Sequence, residues 1–377
     1  MPNSPSLTTV PFLDLAPTTA EIRAAFLDDL DALLDSGAFT NGAPVAAFED
    51  AFAEYCGTSH CVGVANGLDG LRLGLLAAGI EPGDEVILPA NTFVATAEAV
   101  SQTGATPVLV DASLDDYNID VDAIAAAVTE RTRCVLPVHL YGQMADMRSV
   151  LALSERHGLS VIEDACQAHG ATRSGVRAGA AGLVSAFSFY PGKNLGAFGD
   201  AGAIVTDDPA IAETVRALRE HGQQAKYQHH LIGYTARLDT IQAIALAHKL
   251  PLLDGWNAQR RDIAAFYSNE LDGVGDLTLP PVAADSAPVW HLYVIRSGRR
   301  DALAADLREH GVASGLHYPE PVHLTRAYSS LGLGAGSFPV AETLAGEILS
   351  LPIFPGMDEE QMSCVVDAVK DFFARGG

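Results

Sequence analysis

The residues in this sequence that offer covalent chemistry centre on one lysine. Lys193 stands in Ser188-Phe189-Tyr190-Pro191-Gly192-Lys193-Asn194-Leu195-Gly196, among apolar and small neighbours, in a chain with only 23 lysines and arginines. Its ordinary reading is a packed aliphatic stem whose amine reaches water. Its chemical reading is a desolvated amine with a lowered pKa, suited to condensing with a carbonyl. Ser188 lies within reach of the same pocket. A second run, Glu163-Asp164-Ala165-Cys166-Gln167-Ala168-His169-Gly170, places a carboxylate at a strand end. Asp164 there serves either as a helix cap or as the partner of a positively charged ligand nitrogen, and Gln167 would then meet a neighbouring ligand oxygen. His169 has an ordinary reading as a hydrogen-bonded core residue. A third run, Ala65-Asn66-Gly67-Leu68-Asp69-Gly70, opens a helix on glycine, where free N–H groups and the positive dipole end suit a phosphate. Taken alone, those residues favour a plain strand-to-helix turn, and without Gly-Lys-Ser/Thr they are no P-loop. Phe93 offers a ring face for stacking or an ordinary core contact. Amine, carboxylate and phosphate cradle match the aldehyde, ring nitrogen and phosphate of pyridoxal 5′-phosphate, one for one.

Such groups must be carried by strand ends, because ligands of open α/β sheets gather beyond the carboxyl ends of the strands. Short, continuously apolar runs read as strands of a parallel sheet covered on both faces: Cys61–Val64, Glu85–Leu88 after the Pro82-Gly83-Asp84 turn, Pro107–Val110, Cys134–Val138 and Ser160–Ile162. Helical spacing covers Gly67–Ala78, Val121–Val128 and Met147–His157. Ile22, Phe26, Leu30 and Leu33 mark an earlier helix capped by Thr18 or Thr19. Two further runs, Val184–Phe189 and Gly202–Thr206, have a loop between them and are placed to pair. From about Leu250 the pattern changes. A helical stretch from Asp239 to Leu271 breaks or kinks at Pro251, and Trp290–Arg296 (strand), Asp301–His310 (helix) and Asp358–Phe373 (helix) make a smaller α+β unit.

Composition removes several classes of function. The 377 residues are 48% hydrophobic and 19% charged, which is globular, and the net charge of −24 disfavours nucleic acid and anionic membrane surfaces. No uncharged run approaches the ~20 residues of a membrane span. The first twenty residues show no secretory pattern, which reads as a cytoplasmic protein. Five scattered cysteines (Cys56, Cys61, Cys134, Cys166, Cys364) form neither a disulfide framework nor a zinc site, so no metal is expected.

Four segments, Gly63–Asp69, Glu163–Gly170, Ser188–Gly196 and Gly233-Tyr234-Thr235-Ala236-Arg237-Leu238-Asp239, stand in the order and spacing of the DegT/DnrJ/EryC1/StrS family. From about Phe12 to the terminal helix the chain resembles its nucleotide-sugar aminotransferases. The resemblance implies the fold-type-I pyridoxal phosphate transferase architecture. A large, mainly parallel α/β sheet domain with helices on both faces occupies residues 1–250, with an N-terminal arm over 1–17, and a small C-terminal α+β domain occupies 251–377. It implies that Lys193 holds the cofactor as a Schiff base and shuttles the proton, that Asp164 keeps the pyridine nitrogen protonated, and that Gln167 bonds the ring hydroxyl oxygen. By the same resemblance Ser188 and the Gly67 and Leu68 amides hold the phosphate. Leu68 stands where many relatives have Thr, which leaves only the backbone bond. Thr235 stands where relatives usually have an Asn that reaches the phosphate across a subunit interface. A homodimer with shared active sites is therefore implied, the segment His221–Arg237 reaching the neighbour. By the same resemblance Lys226 and Tyr227 contact the substrate diphosphate, and Tyr190, His317 and Tyr318, with His323-Leu324 nearby, face the sugar. Read without the family, Lys226 and Tyr227 are a solvated loop and the His-Tyr pair is structural.

The implied reaction is ping-pong transfer of an amine from an amino acid, L-glutamate by family, to a keto sugar carried on a nucleoside diphosphate. The Tyr141-Gly142-Gln143 and His317-Tyr318-Pro319 runs lean toward carbon 3 of a 6-deoxy sugar over carbon 4. Three alternatives stand beside it. Sugar dehydratases of the family carry histidine in place of the lysine. A non-catalytic, cofactor-binding regulatory protein has no need of the full set Lys193, Asp164, Gln167 and Ser188. An aminocyclitol aminotransferase, acting on a keto-inositol, has no need of a diphosphate contact such as Lys226.

Overall fold

The computed structural model describes residues 9–376, so the first eight residues of the expected N-terminal arm lie outside the described residues. Helices α1 (Ala16–Ser36) and α2 (Ala43–Cys56) lead into β1 (His60–Val64), α3 (Gly67–Ala77), β2 (Glu85–Pro89), α4 (Val94–Thr103), β3 (Thr106–Val110), α5 (Val121–Ala127), β4 (Thr132–Val135), α6 (Met147–His157) and β5 (Ser160–Asp164). A small hairpin, β6 (Thr172–Arg173) and β7 (Val176–Arg177), precedes β8 (Val184–Ser188), β9 (Gly202–Thr206) and α7 (Pro209–Arg219). The hairpin β10 (Gln223–Ala225) and β11 (Gln228–His229) then projects before α8 (Thr240–Lys249) and α9 (Leu253–Leu271). The C-terminal part adds β12 (Ser286–Ala287), β13 (Tyr293–Arg296), α10 (Arg300–Glu309), α11 (Pro339–Glu347), β14 (Ile348–Leu351) and α12 (Glu359–Ala374).

Seven strands form the main sheet in the order β1-β9-β8-β5-β4-β2-β3. All are parallel except β9, which runs antiparallel to both β8 and β1. Alternation along the strands explains why both faces are covered. Val62, Val64, Val86, Leu88, Ile162, Val184 and Ile204 pack under α3, α4 and α7, whereas Cys61, Ile87, Val161, Phe187 and Val205 pack under α2, α5, α6 and α8. A third core lies in the C-terminal part, where α9, α10 and α12 cover the antiparallel pair β13–β14. Val10 joins that core through a parallel bridge to Val312.

Three element readings need correction, each for a local reason. Helix α1 starts at Ala16 rather than after a Thr18 or Thr19 cap: Asp14 Oδ1 accepts the Ala16 N–H at 2.8 Å, and Pro17 is tolerated in the first turn. The run Cys134–Val138 forms a strand only to Val135, because Pro137 has no N–H to give the ladder, although its carbonyl still accepts Asp164 N–H at 2.9 Å. The stretch Asp239–Leu271 breaks at Pro251 as expected, into two helices joined by a 3-10 turn at Leu250–Leu252. The strand expected from Trp290 begins at Tyr293, since Trp290 has φ 49° and cannot continue an extended run.

Under the sheet, α2 is fastened by aromatic edges. The Phe52 ring meets Phe187 at 5.0 Å and Phe189 at 5.1 Å, both near perpendicular, and all three are fully buried. This cluster sits beneath the end of β8 and the chain that leaves it toward Lys193. Phe52→Ala is expected to cost about 3–5 kcal/mol, read as a lowered denaturant midpoint with unchanged slope.

Candidate active site

Beyond the carboxyl ends of β1, β5 and β8 lies a cavity of about 650 Å³. Its floor begins where β1 turns into α3. Asn66 caps that helix, its Oδ1 accepting the Asp69 N–H at 2.8 Å while its carbonyl takes the Gly70 N–H. The Gly67 and Leu68 amides are left as helix-end donors, with the helix dipole behind them. Gly67 is required by contact: a Cβ there would stand 2.7 Å from Ser188 Cβ and 2.8 Å from Cys166 Sγ. Only glycine lets the helix end and the Ser188 strand end meet around one small space.

Neighbouring carboxylates at the end of β5 point to opposite faces of the sheet. Asp164 lines the cavity, 6% exposed, with Oδ2 accepting the Thr96 hydroxyl at 2.7 Å and Oδ1 the Cys166 amide at 3.2 Å. Glu163 turns beneath the sheet, where it accepts from His139 Nε2 at 2.7 Å, the Ser185 hydroxyl at 2.7 Å and the Gly182 amide at 2.7 Å. Burial pushes the Glu163 pKa up, but the bonds and charge of His139 and the bonds from Ser185 and Gly182 outweigh it and hold it below the ordinary carboxylate value. Glu163 thus braces the strand whose last residue presents Asp164. Gln167 is fixed at both ends, its Oε1 accepting Tyr141 N–H at 2.7 Å and its Nε2 donating to Tyr318 Oη at 3.1 Å.

The β8–β9 pair is antiparallel, with Ser188 opposite Gly202, and the loop between them carries Lys193. That loop is pinned on both sides of the lysine. Lys193 N–H bonds Tyr190 O at 2.8 Å, and buried Asn194 donates to Asn257 Oδ1 and Val289 O, each at 2.9 Å. Gly196 allows the tight fold of the loop: a Cβ at Gly196 would fall 2.3 Å from Pro191 O. Removal of water lowers the Lys193 pKa, against the opposing pull of Cys166 and Asp164. The histidines nearby are neutral at neutral pH. Burial, and then the Lys193 charge, bring His169 to about 3 and His317 to about 4, and His291 well below its ordinary value. His169 is a core residue, its Nε2 2.9 Å from Ser188 O.

The structure brings Gly67, Leu68, Phe93, Asp164, Gln167, Ser188, Tyr190, Lys193, His317 and Tyr318 to this one cavity. Phe93, 49% exposed, faces Tyr318 with ring centres 5.2 Å apart, and His317 stacks on Phe12 at 5.5 Å. Three residues expected to reach a neighbouring subunit, and His323, lie outside this cavity. Lys226 and Tyr227 sit on the exposed β10–β11 hairpin, and Thr235 bonds the His221 ring at 3.2 Å on the outside of the chain. His323 is buried against Glu342 at 3.0 Å and does not face the cavity. Sequence reasoning passed over Thr96, Arg260 and His291. Thr96 follows the Asn91-Thr92-Phe93 turn by one helical step and was within reach of a strand-end survey; Arg260 and His291 come from the far C-terminal part and carried no local signal.

A parallel sheet with a buried amine, a carboxylate and a helix N-terminus converging at its carboxyl edge defines a fold-type-I pyridoxal phosphate transferase. The chain belongs to the DegT/DnrJ/EryC1/StrS aminotransferase family, whose model matches residues 20–370. It is 48% identical over 366 residues to dTDP-3-amino-3,4,6-trideoxy-alpha-D-glucose transaminase of Streptomyces venezuelae, covering 97% of each chain. A crystal structure of S. venezuelae DesV in complex with a ketimine intermediate superposes with a TM-score of 0.95, at 48% identity, over 97% of this chain and 98% of that one. NtdA of Bacillus subtilis with bound cofactor PMP superposes with a TM-score of 0.91, at 31% identity, over 99% of this chain and 87% of that one.

Two outcomes follow from the electrostatics. The chain has four lysines, Lys193, Lys226, Lys249 and Lys370, and burial lowers the amines of Lys193 and of Lys249, the latter to about 8. Amine acylation of cofactor-free protein, followed by peptide mapping across pH, should therefore give Lys193 a midpoint below the ordinary 10.5. Because the folded Glu163 pKa lies below its ordinary 4.5, its stabilisation is present above that pH and is lost as pH falls through the folded value. Glu163→Gln should cost roughly 3–5 kcal/mol at pH 7, and the gap to the parent protein should narrow in acid-unfolding curves below pH about 4.

Proposed function

We propose that this chain is a pyridoxal 5′-phosphate-dependent aminotransferase that moves an amino group from an amino acid, L-glutamate, to the keto carbon of a nucleoside-diphosphate sugar in deoxyaminosugar biosynthesis. The acceptor class is a dTDP-linked 3- or 4-keto-6-deoxy sugar, carbon 3 being favoured by the likeness to the S. venezuelae transaminase. The observation that carries the reading is the convergence of Lys193, Asp164 and the α3 N-terminus on one cavity, with Gly67 letting the end of α3 close against Ser188 and Cys166. These residues fit the cofactor's three polar ends: the Gly67 and Leu68 amides and Ser188 take its phosphate, Asp164 its ring nitrogen, and Gln167 its ring oxygen. Phe93 covers a ring face. When bound, the cofactor supplies an aldehyde that condenses with amines and a cationic ring that withdraws electrons from the adjoining carbon.

The chain's own groups do the rest. Lys193 Nζ, kept neutral more readily than a surface amine, takes the proton from the donor's α-carbon and returns a proton in the second half of the cycle. Asp164 holds a proton on the ring nitrogen, and Thr96 and the Cys166 amide fix the carboxylate for that task. His317, Tyr318 and Tyr190 line the space left for the sugar. Lys226, Tyr227 and Thr235 serve the cavity of a second copy in a cytoplasmic homodimer. The solvent-facing Tyr227 and Ile232, 80% and 94% exposed, support that assignment, since side chains of this kind are usually covered at an interface. We place the boundary between the large and small domains at 250/251, where the 3-10 turn parts α8 from α9.

Lys193→Ala is expected to lose the visible absorption band that pyridoxal phosphate gives with the parent protein, and borohydride should fix the label on the Lys193 peptide alone. Asp164→Asn should keep that label and lower turnover by about a hundredfold or more. Label on another lysine sinks the assignment. Release of 2-oxoglutarate from L-glutamate separates the enzyme from a regulatory protein, and product NMR with dTDP-keto sugars and a keto-inositol fixes the acceptor.

A further inference from the structure

A segment from the start of the chain completes the cavity wall beside Lys193. Val10, 1% exposed, bridges Val312 in parallel: its N–H donates to Gly311 O at 2.9 Å and its carbonyl accepts the Ala313 N–H at 3.0 Å. These bonds fasten the segment just past α10. At its other end Asp14 Oδ1 accepts the first amide of α1. Phe12 and Leu13, between the two fastenings, line the cavity with Gly192, Lys193 and His317. Leu13 lies over Gly192, its Cδ2 3.3 Å from where a Cβ on that glycine would stand. Phe12 stacks on the His317 ring with 19° between planes, and Nδ1 of that ring is 2.9 Å from Ser350 Oγ. Gly315 makes room for both rings, since a Cβ there would stand 2.6 Å from His317 Cε1 and 3.3 Å from Phe12 Cζ. Phe12 packs on the core under α3, α4 and α7, and Leu13 on the C-terminal core.

We propose that residues 10–14 are the water barrier of the Lys193 amine, Leu13 covering it beside Gly192 and Phe12 sealing the gap by fixing His317 in the wall. The inference rests on the reading of Lys193 as the cofactor lysine. An amine that condenses with a carbonyl works best where water is excluded. Burial is the main reason that the Lys193 amine gives up its proton easily and that His317 stays neutral. The ends of strands and helices supply the polar groups of the cavity, whereas Phe12 and Leu13 bring only apolar surface. A plain lead-in to α1 would satisfy its backbone without placing these two side chains against Gly192 and His317.

Hydroxylamine reports on the barrier, because its nitrogen replaces that of Lys193 on the cofactor's carbonyl carbon and abolishes the visible absorption band. With the cofactor-loaded enzyme, the double variant Phe12→Ala/Leu13→Ala should be trapped about tenfold faster than the parent. In the cofactor-free protein, amine acylation should place the Lys193 midpoint of the double variant higher, nearer 10.5, because water then reaches the amine. Lys249 bonds Gly196 O at 2.6 Å in the same loop, and its midpoint of about 8 should stay where it is. A trapping rate within about threefold of the parent's, or a Lys193 midpoint that does not move, overturns the proposal. So does a joint rise of Lys193 and Lys249, the mark of general loosening. Phe12 and Leu13 are half-buried and outside every helix and strand, so the variant is expected to fold. Failure of the reading beneath shows differently: borohydride would then label another peptide in the parent itself.

Discussion

An amine, a carboxylate and a helix end can share a dry cavity only if each is held by groups that do not depend on water. Here that constraint falls on the carboxyl edge of one sheet. The Lys193 amine is shielded enough to lose its proton more easily, Asp164 is gripped by a hydroxyl and an amide, and the two free amides of α3 are aimed into the same space. The protein's net charge of −24 has little say in this, because a cavity responds to its local groups.

The grip on each group comes from one layer further out. Asn194, beside the lysine, is anchored to Asn257 and to the carbonyl of Val289, so the small C-terminal part holds the loop that carries the amine. Glu163, one residue before Asp164, collects donors from His139, Ser185 and the turn at Gly182 on the opposite face. One strand thus uses its two adjacent carboxylates for different ends, an internal brace below and a ligand-facing charge above. The period-2 alternation of a strand is what separates them.

Close approach is the second constraint. Gly67 meets Ser188 and Cys166, Gly196 meets Pro191, and Gly202 meets the Asn66 backbone, with a Cβ at Gly202 falling 2.5 Å from Asn66 O. None of these three depends on a positive φ; each is required by what stands opposite. Together they bring the ends of β1 and β8 and the start of β9 close together at the edge of the cavity.

The sequence alone determined the parts whose cause is local. Continuous apolar runs, the glycine that opens α3 and the motifs around Asp164 and Lys193 specify the parallel sheet and the strand-end residues Gly67, Asp164, Gln167, Ser188 and Lys193 that meet in the cavity, because strand period, helix capping and turn chemistry act over a few neighbours, whereas Tyr190, His317 and Tyr318 came only with the family resemblance. Helix α6 and strand β9 were legible to the residue. Where Pro137 and the φ of Trp290 cut an apolar run short, the runs looked longer than the elements they form. Only the tertiary structure decided the rest. It put Arg260 and His291, some 70 to 100 residues along the chain from Lys193, into the same wall, gave Asp164 its Thr96 partner, buried His323 against Glu342, and set Lys226, Tyr227 and Thr235 outside the chain's own cavity. Such placements arise from packing between distant segments, and no spacing or propensity within one segment encodes which groups will face one another after the sheet and its C-terminal partner close.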